Sequence, residues 1–134
     1  MHLEDTLQRF IKSGLKLKLS KCAFACEAVK CLGHVIDAEG LHVDPDKVSA
    51  ITSIPAPQDA TGVRSFLGMT NYFRQFIPDY AKISMPLQEL TKKRTKFEWT
   101  LECEDAFQEL KQRLCHDPCL IMPDYTKPFT LHTD

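Results

Sequence analysis

The chain has 134 residues, 43% of them hydrophobic, and its 17 basic and 18 acidic side chains leave a formal charge of −1. That length admits one domain or a pair of small lobes with a real core. The near-neutral charge excludes a protein that attracts polyanions by bulk charge, so any nucleic-acid contact has to come from local basic patches.

No apolar run reaches the ~18 residues of a membrane span, and no signal peptide opens the chain. No membrane partner is therefore expected, and the setting is expected to be intracellular, cytoplasmic or nuclear, with the cysteines as reduced thiols. At the start, Leu3, Leu7, Phe10 and Ile11 form a helix stripe that Ser13-Gly14 closes. Leu15, Leu17 and Leu19 alternate with Lys16 and Lys18, the period of a half-buried strand. Val29 to Ile36 is a second strand-like run, with a turn near Glu27-Ala28 joining the two. Cys22, Cys26, Cys31 and His34 are spaced C-x3-C-x4-C-x2-H. Zinc knuckles and fingers usually need a C-x2-C or C-x4-C pair at a tight turn. On one strand Cys31 and His34 would also leave opposite faces, so no metal site is expected. Asp37 to Gly40 reads as a turn. Asp44-Pro45 is a helix cap followed by proline at the first helical position, with Val48, Ile51 and Ile54 as the helix stripe. Pro55-Ala56-Pro57 stops that helix and reads as a hinge.

Val63–Ile77 is the organising stretch. Val63, Phe66, Leu67, Thr70, Phe73 and Ile77 fall three and four apart, the period of one buried helix face, with Asp59 or Thr61 as cap and Pro78 as stop. Arg64, Gly68, Tyr72 and Gln75 form a second stripe on the same period, away from the core. It combines a cation, a gap with no side chain, a planar ring and an amide. Such a set can lie along a nucleic-acid groove; an ordinary solvated outer face has the same periodicity. Tyr80, Ile83, Leu87 and Leu90 continue as another helix, with Pro86 near its start or at a kink. Lys92-Lys93-Arg94-x-Lys96 is either a solvated loop or a phosphate contact. Phe97 and Trp99 read as an edge strand or an aromatic anchor. Thr100 caps a last helix that buries Cys103, Ala106, Phe107, Leu110 and Leu114. Cys119–Met122 and Phe129–Asp134 read as short strands.

The stretch RSFLGMTNYFRQFIPDYAKISMPLQELTKK resembles the thumb of Ty3/gypsy-type retrotransposon reverse transcriptases, part of the Pol polyprotein. KLSKCAF, CLGHVID, GLHVDPDKVSAI, FEWTLECEDAFQELKQRL and PFTLHTD follow the family's order and spacing and extend the likeness over essentially the whole chain. The resemblance implies an α+β fold in three parts. Residues 1–43 would be the end of the polymerase palm, a helix and a primer-grip-like β-hairpin. Residues 44–96 would be the helical thumb lobe. Residues 97–134 would be the tether and the first strand of a ribonuclease H domain.

By the same resemblance, Leu32, Gly33 and His34 would hold the 3′ end of the growing strand, and Gly68 and Tyr72 would track the minor groove. Arg64 and Gln75 join them through the stripe. The implied partners are a primer–template duplex, RNA–DNA or DNA, and the rest of the palm and ribonuclease H. Magnesium belongs to the parent enzyme. Two-metal phosphoryl transfer needs several converging carboxylates. The family's Tyr-x-Asp-Asp hairpin is absent from this sequence, and only Asp134 matches a ribonuclease H carboxylate. The fragment alone is thus expected to bind no cofactor and to do no catalysis, and both ends read as cuts through a longer chain. The alternative is a retroelement-derived remnant acting as a protein-interaction domain without catalysis.

Overall fold

Asp59 starts the central helix, α3 (Ala60–Tyr72): its carboxylate accepts the Gly62 N–H at 2.7 Å, satisfying a donor that the first helical turn cannot pair internally. Val63, Phe66 and Thr70 are buried, as the spacing requires. Phe66 packs on Phe107 of α5 (Leu101–Cys115), ring centroids 4.5 Å apart. Thr70 is polar and fully buried, yet it is paired: its hydroxyl donates to the Phe66 carbonyl at 3.2 Å and lies 3.0 Å from the Tyr80 hydroxyl.

The structure, a computed structural model, describes residues 3–93, 95–116, 119–121 and 126–128. Before α3 come α1 (Leu3–Lys12), β1 (Val29–Cys31), β2 (His34–Ile36), β3 (Leu41–Val43) and α2 (Pro45–Thr52). After it come α4 (Tyr80–Glu89), α5 and β4 (Cys119–Leu120). The strands form one antiparallel sheet in the order β1-β2-β3-β4, so the α+β class stands. Val43 of β3, Ile51 of α2, Phe66 of α3, Leu87 of α4 and Leu110 of α5 belong to one apolar cluster. A single core thus joins segments from all three expected parts of the chain. The caps fall where expected: Asp44 accepts the Asp46 N–H at 3.1 Å and Thr100 accepts the Cys103 N–H at 3.4 Å.

Three local expectations are corrected. Leu15–Leu19 is not a strand. All three leucines are exposed and the backbone closes into a 3₁₀ turn at Leu19–Lys21. Among the described residues no strand runs beside it, and without a neighbour to take up the ladder an alternating pattern has nothing to pair with. Val29–Ile36 is two strands, not one. The chain reverses at Leu32-Gly33, with φ of +50° and +77°, the two-residue turn that matches strand twist. The hairpin partner of β1 is therefore β2, and β3 extends the pair. The turn at Asp37–Gly40 joins β2 to β3 as expected. Gly40, at φ +151°, lies so close to β4 that an added Cβ would run into the Leu120 carbonyl oxygen.

The α-helix ends at Tyr72, before Pro78. Arg74–Phe76 is a 3₁₀ turn, whose three-residue period keeps Phe73 and Phe76 both in the core. Gln75 therefore leaves the helical stripe. Of the two readings open for Phe97 and Trp99, the aromatic anchor is the one that forms. The Trp99 ring stands edge-on to Phe107 at 5.8 Å, and its N–H donates to Glu104 at 2.7 Å. At the start of the chain, α1 forms as expected but buries none of its stripe. Arg94 of the basic run, Met122, and the strand expected at Phe129–Asp134 with Asp134 itself lie outside the described residues. Among the described residues no helix is long and apolar enough to cross a membrane.

Truncating Phe66 removes the ring that orients α3. Phe66→Ala is expected to lower stability by about 3–5 kcal/mol, while Arg64→Ala, two residues away on the outer face, stays within about 0.5 kcal/mol. Urea unfolding of both variants checks this, and equal losses would mean that the buried stripe is wrongly assigned.

Candidate nucleic-acid interface

Burial of Phe66 and Thr70 turns Arg64, Gly68 and Tyr72 outward, and all three are exposed. A Cβ added at Gly68 would meet nothing within 4 Å, so packing does not demand glycine there. The notch opens into a shallow hollow of about 350 Å³ lined by Leu67, Gly68, Asn71, Tyr80 and Gln88. Next to it is a hollow of about 450 Å³ lined by His34, Asn71, Tyr72, Arg74 and Gln75. Asn71 borders both, so the two hollows run as one trough along the outer face of α3. Gln75, although off the helix, still reaches this trough beside Tyr72.

The hairpin tip meets the same surface. The Tyr72 hydroxyl donates to the Leu32 carbonyl at 2.8 Å, a contact between residues 40 apart in sequence. The His34 ring lies 5.5 Å from that of Tyr72 and is stacked on Phe76 at 5.6 Å. The structure thus brings Leu32, Gly33 and His34 together with Tyr72 and Gln75, while Gly68 and Arg64 lie one and two turns back along α3. A third, largely apolar groove of about 590 Å³ separates the tip from α2 and α3, with Gly33, Lys47, Met69 and Tyr72 among its walls. None of the residues lining these three hollows is acidic, while Lys47 and Arg74 are exposed in their walls. Among the described residues, the walls of these hollows therefore carry no carboxylate although the chain as a whole is near neutral, which suits contact with a polyanion.

Asn71, Arg74 and Lys47 do not stand out in the sequence. Asn71 was within reach, because it stands three residues after Gly68 on the same face. Lys47 was not, since only the fold carries α2 to the hairpin tip. The described lysines of the basic run line none of these hollows, and Lys92 is paired with Glu89 at 2.5 Å. Cys31 and His34 do not share a strand: they face each other across the hairpin. Among the described residues, however, no three His, Cys, Asp or Glu side chains are placed to hold a metal ion.

The hairpin is tied to α2 by charge. Lys30 donates to Asp44 at 2.9 Å and to Asp46 at 2.8 Å, and the Gly33 carbonyl accepts the Asp44 N–H at 3.1 Å. Hydrogen bonds from the Lys30 ammonium and the Asp46 N–H hold the Asp44 carboxyl below its ordinary value of 3.8.

Comparison with known proteins gives a consistent result. Residues 99–134 match the RNase H-like domain found in reverse transcriptase. The chain is similar to the retrovirus-related Pol polyprotein from transposon 297 of Drosophila melanogaster, 44% identical over 137 residues. That match takes in 99% of this chain and 13% of that protein, so the chain spans only a small part of the longer relative. It is also 38% identical over 130 residues to an uncharacterised mitochondrial protein of Arabidopsis thaliana, covering 96% of this chain and 82% of that protein. Among solved structures, the foamy viral protease-reverse transcriptase in complex with RNA/DNA hybrid aligns with a TM-score of 0.73 at 27% identity, over 89% of this chain and 16% of that one.

The Lys30–Asp44 tie sets an acid dependence. A carboxyl whose folded value is depressed stabilises the fold above its unfolded value, and that contribution disappears as pH falls through the folded one. The urea midpoint is expected to fall as pH drops from about 5 to about 2, and Asp44→Asn should make that fall shallower. An undiminished fall in Asp44→Asn would show that the tie contributes nothing.

Proposed function

This chain belongs to the reverse-transcriptase family of retrotransposon and retroviral Pol polyproteins, and from that premise we propose that it is a duplex-clamping region of such an enzyme. The outer face of α3 seats the sugar–phosphate backbone of a primer–template duplex. Arg64, with Arg74 beside the trough, supplies cations to phosphates. Gly68 leaves room for close backbone approach, Asn71 and Gln75 offer amides to groove edges, and Tyr72 offers an exposed ring. Leu32, Gly33 and His34 at the hairpin tip meet the primer end. The observation that carries the reading is the open notch at Gly68, flanked by a trough with no carboxylate in its walls. The relative solved with RNA/DNA hybrid supports the choice of ligand.

Catalysis belongs, on this reading, to carboxylates and magnesium held elsewhere in the polymerase, and this region contributes binding and positioning. The exposed stripe of α1, with Leu3 57% and Ile11 71% accessible, is where the remainder of the polymerase would sit. The same apolar face favours a second reading, a retroelement-derived protein-interaction domain. That reading gains if α1 captures a protein partner and no duplex binds.

Glycine in a helix interior is less stable than alanine by roughly 0.5–1 kcal/mol, and nothing crowds a Cβ at position 68. Gly68→Ala should therefore stabilise the fold by about that amount while weakening binding to an RNA–DNA hybrid several-fold. Gly68→Leu should weaken it further. A titration at low salt, beside a urea melt, checks both signs. Higher stability with unchanged affinity in both variants would contradict the clamp.

A further inference from the structure

Leu32 occupies the first of the two turn positions in the hairpin at φ +50°, a conformation that Asn, Asp and Gly adopt readily and leucine seldom does. Its side chain is 82% exposed, so burial does not offset the strain. Two hydrogen bonds to its carbonyl hold it there, from the Tyr72 hydroxyl at 2.8 Å and from Nδ1 of His34 at 3.1 Å. Both donors are themselves braced on the core. The Tyr72 ring stands edge-on to Phe73 at 4.9 Å and 87°, and the His34 ring stacks on Phe76 at 5.6 Å and 29°.

The Tyr72 hydroxyl is therefore committed to the hairpin and is not available to a ligand, although the ring is 54% exposed. We infer that Tyr72 is a positioning residue. Its hydroxyl latches the hairpin tip to α3, so that the exposed Leu32 side chain is presented to the duplex at a fixed distance from the Gly68 notch. The inference rests on the duplex-clamp reading for its ligand, and on the tip geometry alone for the latch. A leucine at the tip suits the role: it offers an apolar surface to a sugar ring in a wide, shallow groove, where an asparagine would settle the turn but lose that contact. The latch makes two sequence-distant contact surfaces act as one body, without which each would bind alone and weakly.

Tyr72→Phe keeps the ring and removes only the hydroxyl. Amide hydrogen exchange over Val29–Ile36 is expected to speed up about tenfold, with exchange in α5 and the urea midpoint unchanged. Affinity for a low-salt RNA–DNA hybrid should fall about fivefold, a loss that a role for the ring alone does not give. In a Leu32→Ala background the same substitution should cost less than half as much, because the side chain being presented is gone.

Unchanged hairpin exchange in Tyr72→Phe would overturn the latch whatever the affinity. Full additivity with Leu32→Ala would overturn its action through the tip. If exchange rises as expected but hybrid affinity is indifferent to Tyr72→Phe, Leu32→Ala and Gly68→Ala alike, the latch stands and the duplex reading falls.

Discussion

Phe66 against Phe107 decides which way α3 faces. A helix of this composition could in principle bury either of two stripes, but only one of them carries the ring that packs on α5. With the centroids 4.5 Å apart and Phe66 1% exposed, rotation of α3 is fixed. Everything proposed about function follows from that rotation, because it turns Arg64 and Gly68 to the outside and leaves the notch open. Thr70, buried one turn along, adds directionality that a pure apolar contact lacks, since its hydroxyl has to meet both the Phe66 carbonyl and the Tyr80 phenol.

The second constraint is the attachment of the sheet to this helical layer. Val43 enters the common core from β3, Lys30 reaches from β1 to both carboxylates at the start of α2, and Tyr72 reaches from α3 to the hairpin tip. These three ties differ in kind: apolar burial, an ion pair and a neutral hydrogen bond. They respond differently to perturbation as well. The ion pair weakens in salt and acid, the burial weakens with cavity formation, and the hydroxyl bond is lost with a single oxygen atom. The tip's position therefore rests on more than one interaction, and Tyr72 sets its final placement against α3.

Much of this was legible in the sequence, for identifiable reasons. Asp44, Asp59 and Thr100 are short polar side chains ahead of helical periodicity, and all three cap. The Val63, Phe66, Thr70 stripe is a period-3.6 signal strong enough to name the outer face as well. The hairpin around Leu32-Gly33 was implied by the family resemblance but not by the residue pattern, because Leu32 is a residue that turn preferences place elsewhere; the local rule fails at the very turn position whose side chain is proposed to meet the duplex. The end of α3 was misplaced because three-residue spacing is shared by α-helix and 3₁₀ helix, so Phe73 and Phe76 stay buried in either. Leu15–Leu19 misled because alternation specifies a strand only together with a partner, and partnership is not a property of the segment itself.

The central claim is that the face of α3 opposite Phe66, together with the hairpin tip, is the surface that meets a nucleic-acid duplex. Amide chemical-shift mapping of the chain, titrated with a short RNA–DNA hybrid at low salt, tests it most directly. The largest shifts are expected on Gly33, Arg64, Gly68, Asn71 and Tyr72, with α5 unmoved. Shifts concentrated on α1 or α5, with Gly68 and Asn71 unperturbed at saturation, would contradict it.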